Sequence, residues 1–194
     1  MKVVVLIDKR EKRPLTFPST IKWHAERGGR STLVIVKTKQ KTLPEGDYCL
    51  EGHDKDCIIE RKGGLNELSQ NLLSDDYERA SKAFSRLEVS TRHPYLLIEA
   101  SCSQLRKPTR WTKNPEAVSD ALAGLIQRRN IGLLLVGRCS TPKSKRVVGE
   151  FVLRLMLAHS FGKETDYASA DKIIDSLARP DRKRSKRSKK CRKK

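Results

Sequence analysis

The segment GDYCLEGHDKDCIIERK, from Gly46 to Lys62, predicts a β-hairpin. Two short strand-like runs lie on either side of a polar turn segment that contains glycine. If the hairpin closes between Leu50 and Cys57, the pairing continues outward until Asp47 lies opposite Glu60. Facing side chains in a sheet lie roughly 4.5–5.5 Å apart, where like charges destabilise the pairing. The hairpin therefore predicts a positive group between the two acids.

Lys62 is the predicted partner of this acidic pair, because it lies two residues beyond Glu60 and side chains alternate along a strand. Two acids and a lysine on one face are typical of metal-assisted phosphodiester hydrolysis. Magnesium prefers oxygen ligands and binds through one or two carboxylates together with substrate phosphate. The lysine then orients the attacking water or neutralises the charge that develops. The alternative for this spacing is an ordinary surface hairpin in which Arg61 and Lys62 offset the acids.

The charge of the chain points to a polyanionic partner. The 194 residues carry a formal net charge of +19, and cations that neutralise phosphates release condensed counterions. Charge alone does not separate DNA from RNA. Five cysteines without a CxxC pair favour neither a zinc site nor a disulfide framework. No apolar run approaches the roughly 20 residues of a membrane span, so we expect a soluble intracellular protein without a membrane partner. It would lie in the cytoplasm or nucleoid if the source is prokaryotic or phage, and in the nucleus if it is eukaryotic.

Apolar runs predict four further buried strands, at Val3–Ile7, Thr32–Val36, Tyr95–Ile98 and Ile131–Val136. Asp8, Arg10 and Glu11 come directly after the first of these. Charged residues at the end of a buried strand are typical of a site on an α/β sheet, and the alternative is a solvated strand end. The segment from Thr16 to Gly29 predicts a helix or loop anchored by Trp23, with a turn at its two final glycines.

Helical spacing of apolar residues predicts several helices. The first covers the leucines from Leu65 to Leu73, and Asp75 and Asp76 begin the second. Another opens at Asn114-Pro115, with Asn114 as the cap and the proline at the first helical position, and a further helix follows Pro142. The apolar face of the helix at Pro142 is predicted to consist of five residues: Val148, Phe151, Val152, Leu155 and Met156.

Several exposed basic groups are predicted to approach nucleic acid. Arg79, Lys82 and Arg86 recur along one face of the second helix, where they would follow a phosphate backbone or form a solvated face. Lys37, Lys39 and Lys41 follow the second apolar strand as a positively charged approach. Trp111 lies among cations, where it would stack on a base or pin a loop.

The composition changes abruptly at Pro180. Ten of the basic residues and one acid lie in 180–194, among them Arg182, Lys183 and Arg184. A segment with so little apolar surface is expected to be disordered and to tether nucleic acid, or else to act as a solubilising or targeting tail. The predicted organisation is a domain over 1–165, a short helix over 166–179 and a disordered basic tail over 180–194.

The order of motifs resembles a known family. LIDKREKRP, LPEGDY, IIERK, a leucine helix, an arginine-containing helix and LLIEA are similar to the nuclease domain of the XPF/Hef type, in a single-domain form like that of bacteria and phages. The resemblance implies an α/β fold of the restriction-endonuclease type, with a central mixed sheet flanked by helices. It also implies magnesium- or manganese-dependent endonuclease cleavage of flapped, forked or branched DNA, in repair or recombination.

The resemblance also implies roles for individual residues. Asp47 and Glu60 look like metal ligands, and Lys62 resembles the catalytic lysine. Asp8 is similar to the additional acid near the metal. Two arginines and one acid complete the implied site. Arg61 would orient the carboxylates or bind phosphate, and Arg10 would contact DNA phosphate. Glu11 would support the network of charged groups.

The chain departs from the family pattern after the lysine. The family places an aspartate four residues beyond it, whereas this chain has Asn66 followed by Glu67. The alternatives to a nuclease are a catalytically inactive DNA-binding scaffold of the same fold and a basic RNA-binding protein. A homodimer or a partner protein is possible under either DNA-related hypothesis.

Overall fold

The computed structural model describes residues 1–25, 30–109 and 112–162. Within these ranges seven strands form one mixed sheet, in the order β2-β3-β1-β4-β5-β6-β7. The strands are β1 (Lys2–Asp8), β2 (Thr20–Trp23), β3 (Thr32–Lys41), β4 (Tyr48–Leu50), β5 (Cys57–Lys62), β6 (His93–Ile98) and β7 (Gly132–Leu135). The helices are α1 (Leu65–Leu73), α2 (Tyr77–Ser90), α3 (Pro115–Arg129) and α4 (Pro142–Phe161), with a short 3-10 turn at Gln104–Arg106.

The pairing of strands brings several charged ends to one edge of the sheet. β3 runs parallel to β1, and β5, β6 and β7 run parallel to one another. β4 pairs antiparallel with both β1 and β5, so the hairpin lies at the centre of the sheet. The carboxyl ends of β1, β5 and β6, at Asp8, Lys62 and Ile98, therefore meet at one edge.

Successive side chains of a strand point to opposite faces of the sheet, so both faces carry apolar residues and helices cover each of them. On one face, strand residues such as Leu6 and Ile58 pack with the leucine stripe of α1 and with α2 and α3. On the other face, Val5 and Ile59 pack with α4. The expected mixed sheet flanked by helices is thus confirmed.

Local signals correctly predicted where two helices begin. The side chain of Asn114 accepts a hydrogen bond from the backbone N–H of Ala117 (3.1 Å), with proline at the first helical position. Thr141 and Ser144 form a reciprocal capping box at the start of α4.

Two predictions about the fold were wrong. Residues Thr20 to Trp23 form a strand instead of a helix or loop, because Ile21 and Trp23 alternate inward and pair antiparallel with β3. Phe151 is 50% exposed, and Leu153 and Leu157 are among the buried residues of α4 instead. The 3.6-residue period turns Phe151 out of the buried face.

Several predictions concern residues outside the described ranges, namely the turn at Gly28-Gly29, Trp111, the helix over 166–179 and the tail over 180–194. They stay predictions. Residues Met1–Gly162 form one compact unit. None of the described helices combines the length and apolar character needed to cross a membrane.

Candidate active site

The central hairpin has the predicted register. Tyr48 pairs with Ile59 and Cys49 with Ile58, which places Asp47 opposite Glu60. The regular ladder ends at the pair of Tyr48 and Ile59. Beyond it, the N–H of Asp47 donates to the carbonyl of Ile59 (2.8 Å). Gly46 has a φ of +71°, and a Cβ at this position would lie 2.2 Å from a side-chain carbon of Ile58, so only glycine allows this approach of the two strands.

Asp47 is a half-buried carboxylate held in place by the backbone. Its Oδ2 accepts the backbone N–H of Arg61 over 2.7 Å. Burial, together with the negative charge of Glu60, raises the pKa of Asp47 to about 7, although the bond from Arg61 opposes the shift. Asp47 itself forms no ion pair with a described residue, and a bound cation between the two acids would relieve their repulsion.

Lys62 lies between two carboxylates at the end of β5. Its Nζ is 2.8 Å from Oε1 of Glu60 and 3.5 Å from Oε1 of Glu67, and 5.9 Å from the centre of the Phe84 ring. Burial acts to lower the pKa of Lys62, but the charge of Glu60, its hydrogen bond and the charge of Glu67 outweigh it, so the pKa lies above its usual value. The lysine is therefore a charged, oriented group.

The motif left open whether Asn66 or Glu67 takes the place of the family aspartate, and Glu67 is the one that contacts Lys62. Its Oε2 accepts the backbone N–H of Gly63 over 2.8 Å, which holds its other oxygen toward Lys62. Asn66 points elsewhere, since its Oδ1 accepts the hydroxyl of Thr109 (3.1 Å).

Arg61 is a buried strut beneath the site. Its Nη1 donates to Oε2 of Glu11 (2.8 Å) and its Nε to Oε1 of Glu99 (2.9 Å). The other oxygen of Glu99 accepts the backbone N–H of Cys139 (3.2 Å). Burial acts to lower the pKa of Arg61, but the two carboxylates outweigh it and keep the guanidinium charged. The geometry favours an orienting role for Arg61 over a phosphate contact, and a supporting role for Glu11.

Asp8 is 1% exposed and is fully engaged by its neighbours. Its Oδ1 accepts the backbone N–H and Nε–H of Arg10, and its Oδ2 accepts Nη2 of Arg10 and the backbone N–H of Leu43. Burial would raise the pKa of Asp8, but these bonds outweigh it and lower the pKa. Asp8 does not line the cleft with Asp47 and Glu60. Its role as a metal ligand stays a prediction that this geometry does not support.

A cleft of about 710 Å³ lies above these groups. Asp47, Glu60 and Lys62 line it together with Arg10, whose side chain is 67% exposed. Further cations on its wall are Lys12, Arg13, Arg138 and Lys145. Sequence reasoning missed Arg138 and Lys145, because only the fold brings the β7–α4 region to this edge. Glu99 could have been recognised from the sequence, because it directly follows the predicted strand Tyr95–Ile98.

The basic row of α2 lies beside the cleft. Arg79 pairs with Asp76 (3.3 Å) and Arg86 with Glu45 (2.6 Å), whereas Lys82 has no ion pair within the described ranges. Arg79 also lines a cavity of about 140 Å³ that reaches Glu60 and Lys62. The DNA-contact predictions for Arg79, Lys82 and Arg86 remain open, and those for Arg182, Lys183 and Arg184 fall outside the described residues.

The cleft suits a metal that needs few protein ligands. Among the described residues no cluster of three or more histidines, cysteines or acids is arranged to hold a metal. The carboxylate oxygens of Asp47 and Glu60 suit a hard divalent cation that completes its shell with waters and substrate phosphate. They do not fit a closed all-protein cage.

Comparison with known proteins identifies the family. The ERCC4 domain matches residues 7–141, which is more than half of the chain. No curated protein matches the sequence. A solved structure of XPF from Aeropyrum pernix is 25% identical, with a TM-score of 0.53, and the match covers 78% of this chain and 60% of that chain. A structure of XPF from Aeropyrum pernix in complex with DNA is 24% identical, with a TM-score of 0.55, over 91% of this chain and 74% of that chain.

The matched residues and the cleft coincide. Residues 7–141 include the hairpin, the strut formed by Arg61 with its two acids, and the lysine beside Glu67. The chain spans 60% of the length of the first of these solved relatives. The family comparison thus agrees with the predicted motifs and with the mixed sheet, and the chain belongs to the ERCC4 domain family of XPF-type nuclease domains.

Proposed function

We propose that the protein is a metal-dependent DNA endonuclease that hydrolyses phosphodiester bonds. The observation that carries this proposal is the facing pair Asp47 and Glu60 beside Lys62, in a cleft whose rim is basic. Burial and the charge of Glu60 raise the pKa of Asp47, a cost that a domain without catalytic function has little need to carry.

Asp47 and Glu60 would hold a magnesium or manganese ion. When bound, the ion supplies charge stabilisation at the phosphoryl group and a more acidic water. Arg61 fixes the Asp47 carboxylate through its backbone N–H, and Glu11 and Glu99 fix Arg61 in turn. The protein thus presents an oriented pair of ligands before the substrate arrives.

Lys62 performs the second task of the site. Its ammonium group is held at 2.8 Å from Glu60 and remains charged at neutral pH because both neighbouring acids raise its pKa. From this position it orients the attacking water or neutralises negative charge that develops on the phosphate. Arg10, exposed on the cleft wall and oriented by Asp8, is placed to contact a substrate phosphate.

DNA is the proposed substrate, with a preference for flapped, forked or branched forms. Support comes from the net charge of +19, from the ERCC4 family match, and from the fold shared with XPF from Aeropyrum pernix, which has been solved in complex with DNA. A role in repair or recombination would follow from such a preference.

The test is cleavage of a panel of labelled linear, flapped and forked DNAs with and without magnesium. We expect cleavage only with the metal, and we expect Asp47→Ala and Glu60→Ala to lose it while they retain DNA binding. Asp54→Ala is the matched control, because Asp54 is an exposed aspartate at the far end of the same hairpin. Binding without cleavage by the unmodified protein would instead indicate a DNA-binding scaffold, and preference for RNA would indicate an RNA-binding protein.

A further inference from the structure

A second groove adjoins the cleft. It has a volume of about 650 Å³ and shares the wall formed by Gly63, Glu67, Glu99 and Arg138 with the cleft. From there it passes the start of α1 and reaches Lys107. We propose that this side groove binds the sugar-phosphate backbone of an unpaired DNA strand that leaves the cleft beside the scissile bond. The inference rests on the proposed nuclease function and names a physical origin for its structure selectivity.

The amide side chains of the side groove present N–H donors that are unpaired among the described residues. Oδ1 of Asn66 already accepts the hydroxyl of Thr109 (3.1 Å), and Oε1 of Gln104 already accepts the backbone N–H of Ser101 (2.8 Å). The NH₂ groups of Asn66 and Gln104 have no hydrogen-bond partner within the part of the chain that the structure describes. A ligand in the side groove therefore meets N–H groups.

The acids of the shared wall are likewise occupied. One oxygen of Glu67 accepts the N–H of Gly63, and the other faces Lys62. The two oxygens of Glu99 are taken by Arg61 and by the backbone N–H of Cys139. Both carboxylates are paired with cations of the site, which partly neutralises their charge at this wall.

The cations of the side groove are available. Lys107 and Arg138 are exposed and form no ion pair or hydrogen bond through their side chains with any described residue. By contrast, Arg10 is bound to Asp8, and Arg61 to Glu11 and Glu99. Free N–H donors together with unpaired positive charge match a ligand that is anionic and offers only acceptors, which describes a phosphodiester backbone.

The size and position of the side groove indicate an unpaired strand. Its volume lies within the range of about 300–1,000 Å³ that is typical of small-ligand pockets, which is enough for a short run of single strand. A basic groove that follows the backbone is how proteins bind single strands without sequence preference. Because the side groove shares a wall with the cleft, a strand in one continues into the other.

The experiment compares cleavage of two DNAs that differ only in an unpaired arm of about six nucleotides next to the cleavage site. The measured quantity is the ratio of kcat/KM with the arm to kcat/KM without it. We expect the ratio to fall about tenfold in the Gln104→Ala/Lys107→Ala double variant and in Arg138→Ala, because charged hydrogen bonds to the arm are lost. Arg92→Ala is the control, since Arg92 is an arginine with an 80% exposed side chain at the opposite edge of the sheet.

Binding of the same DNAs in EDTA, measured by fluorescence anisotropy, separates the two proposals. If no DNA is cut but the variants lose the tighter binding of the armed DNA, the nuclease proposal fails and the side groove stands. If cleavage is intact and the ratio in the variants equals that of the unmodified protein, the side groove is refuted alone. An equal decrease on both DNAs also refutes it, because the contact would then be independent of the arm.

Discussion

The backbone N–H of Arg61 donates to Oδ2 of Asp47 over 2.7 Å. Arg61 therefore holds the carboxylate that faces its own neighbour in the chain, Glu60. The side chain of Arg61 points away from the cleft, into the cage formed by Glu11 and Glu99. One residue thus connects the ligand pair to the interior, and this connection leads to the first prediction.

Replacement of Arg61 should destabilise the fold more than it changes any surface contact. In Arg61→Ala two buried acids lose their partner, and we expect the free energy of unfolding to fall by roughly 3–5 kcal/mol. Chemical denaturation measures this change. Arg92→Ala, which removes an exposed arginine, should alter it by less than about 0.5 kcal/mol. Equal stability of the two variants would contradict the role of Arg61 as a buried strut.

Asp47→Asn should make the metal-free protein more stable at pH 8. The pKa of Asp47 is raised from 3.8 to about 7 in the folded protein, so the group favours folding while it is protonated, and this contribution is lost as the pH rises from its unfolded pKa through about 7. An amide avoids that loss. We expect a gain of roughly 1–2 kcal/mol at pH 8 and little at pH 4, measured by denaturation in EDTA. Asp54→Asn is the control, and a variant that is less stable at pH 8 would argue against repulsion between Asp47 and Glu60.

Glu67 should act by positioning Lys62. We expect Glu67→Gln to lower kcat about tenfold with little change in KM, because the lysine loses one of the two acids that orient it. The charge of Glu67 raises the pKa of Lys62, so its removal should also move the alkaline decline of activity to lower pH. A pH–rate profile measures the shift, with the exposed Glu116 replaced by glutamine as control. An unmoved alkaline limb would mean that Glu67 is merely structural.

The lysines of β3 should contribute to electrostatic binding of DNA. Lys37, Lys39 and Lys41 occupy alternate positions on one face of the strand, and Lys41 is paired in register with Asp8 at the cleft edge. Lys39 contacts Glu51, whereas Lys37 and Lys41 have no such side-chain partner within the described residues. In Lys37→Ala/Lys41→Ala, the slope of log K against log salt should become shallower by about 2.

The matched control for the β3 lysines is a pair of cations at the opposite edge of the sheet. Lys55 and Arg92 lie near the amino ends of β5 and β6, away from the cleft. The double alanine variant of these two should keep the slope of the unmodified protein. If both double variants reduce the slope equally, the effect belongs to net charge and not to the face of β3.

Local features made the hairpin predictable from sequence. The turn segment and the alternation on each side fix the register, so Asp47, Glu60 and Lys62 could be placed together without a structure. Strand β2 was missed because it has only four residues and depends on pairing with β3 for its stability.

Features that depend on distant segments could not be predicted in this way. The cage around Arg61 combines acids that lie 50 and 38 residues away in sequence. The motif likewise places Asp8 near the metal, but hydrogen bonds from Arg10 and Leu43 occupy both of its oxygens. The donors of the side groove come from three separate segments, and only the fold brings Asn66, Lys107 and Arg138 together.

Asp47→Asn offers the most direct test of the central claim, because this variant is expected to fold at least as well as the unmodified protein. The measurement is single-turnover cleavage of a forked DNA in magnesium, at enzyme concentrations that saturate binding. We predict magnesium-dependent cleavage by the unmodified protein and a rate at least about 1,000-fold lower for Asp47→Asn, with binding retained. Comparable cleavage by the two proteins would contradict the assignment of Asp47 and Glu60 as the catalytic metal pair.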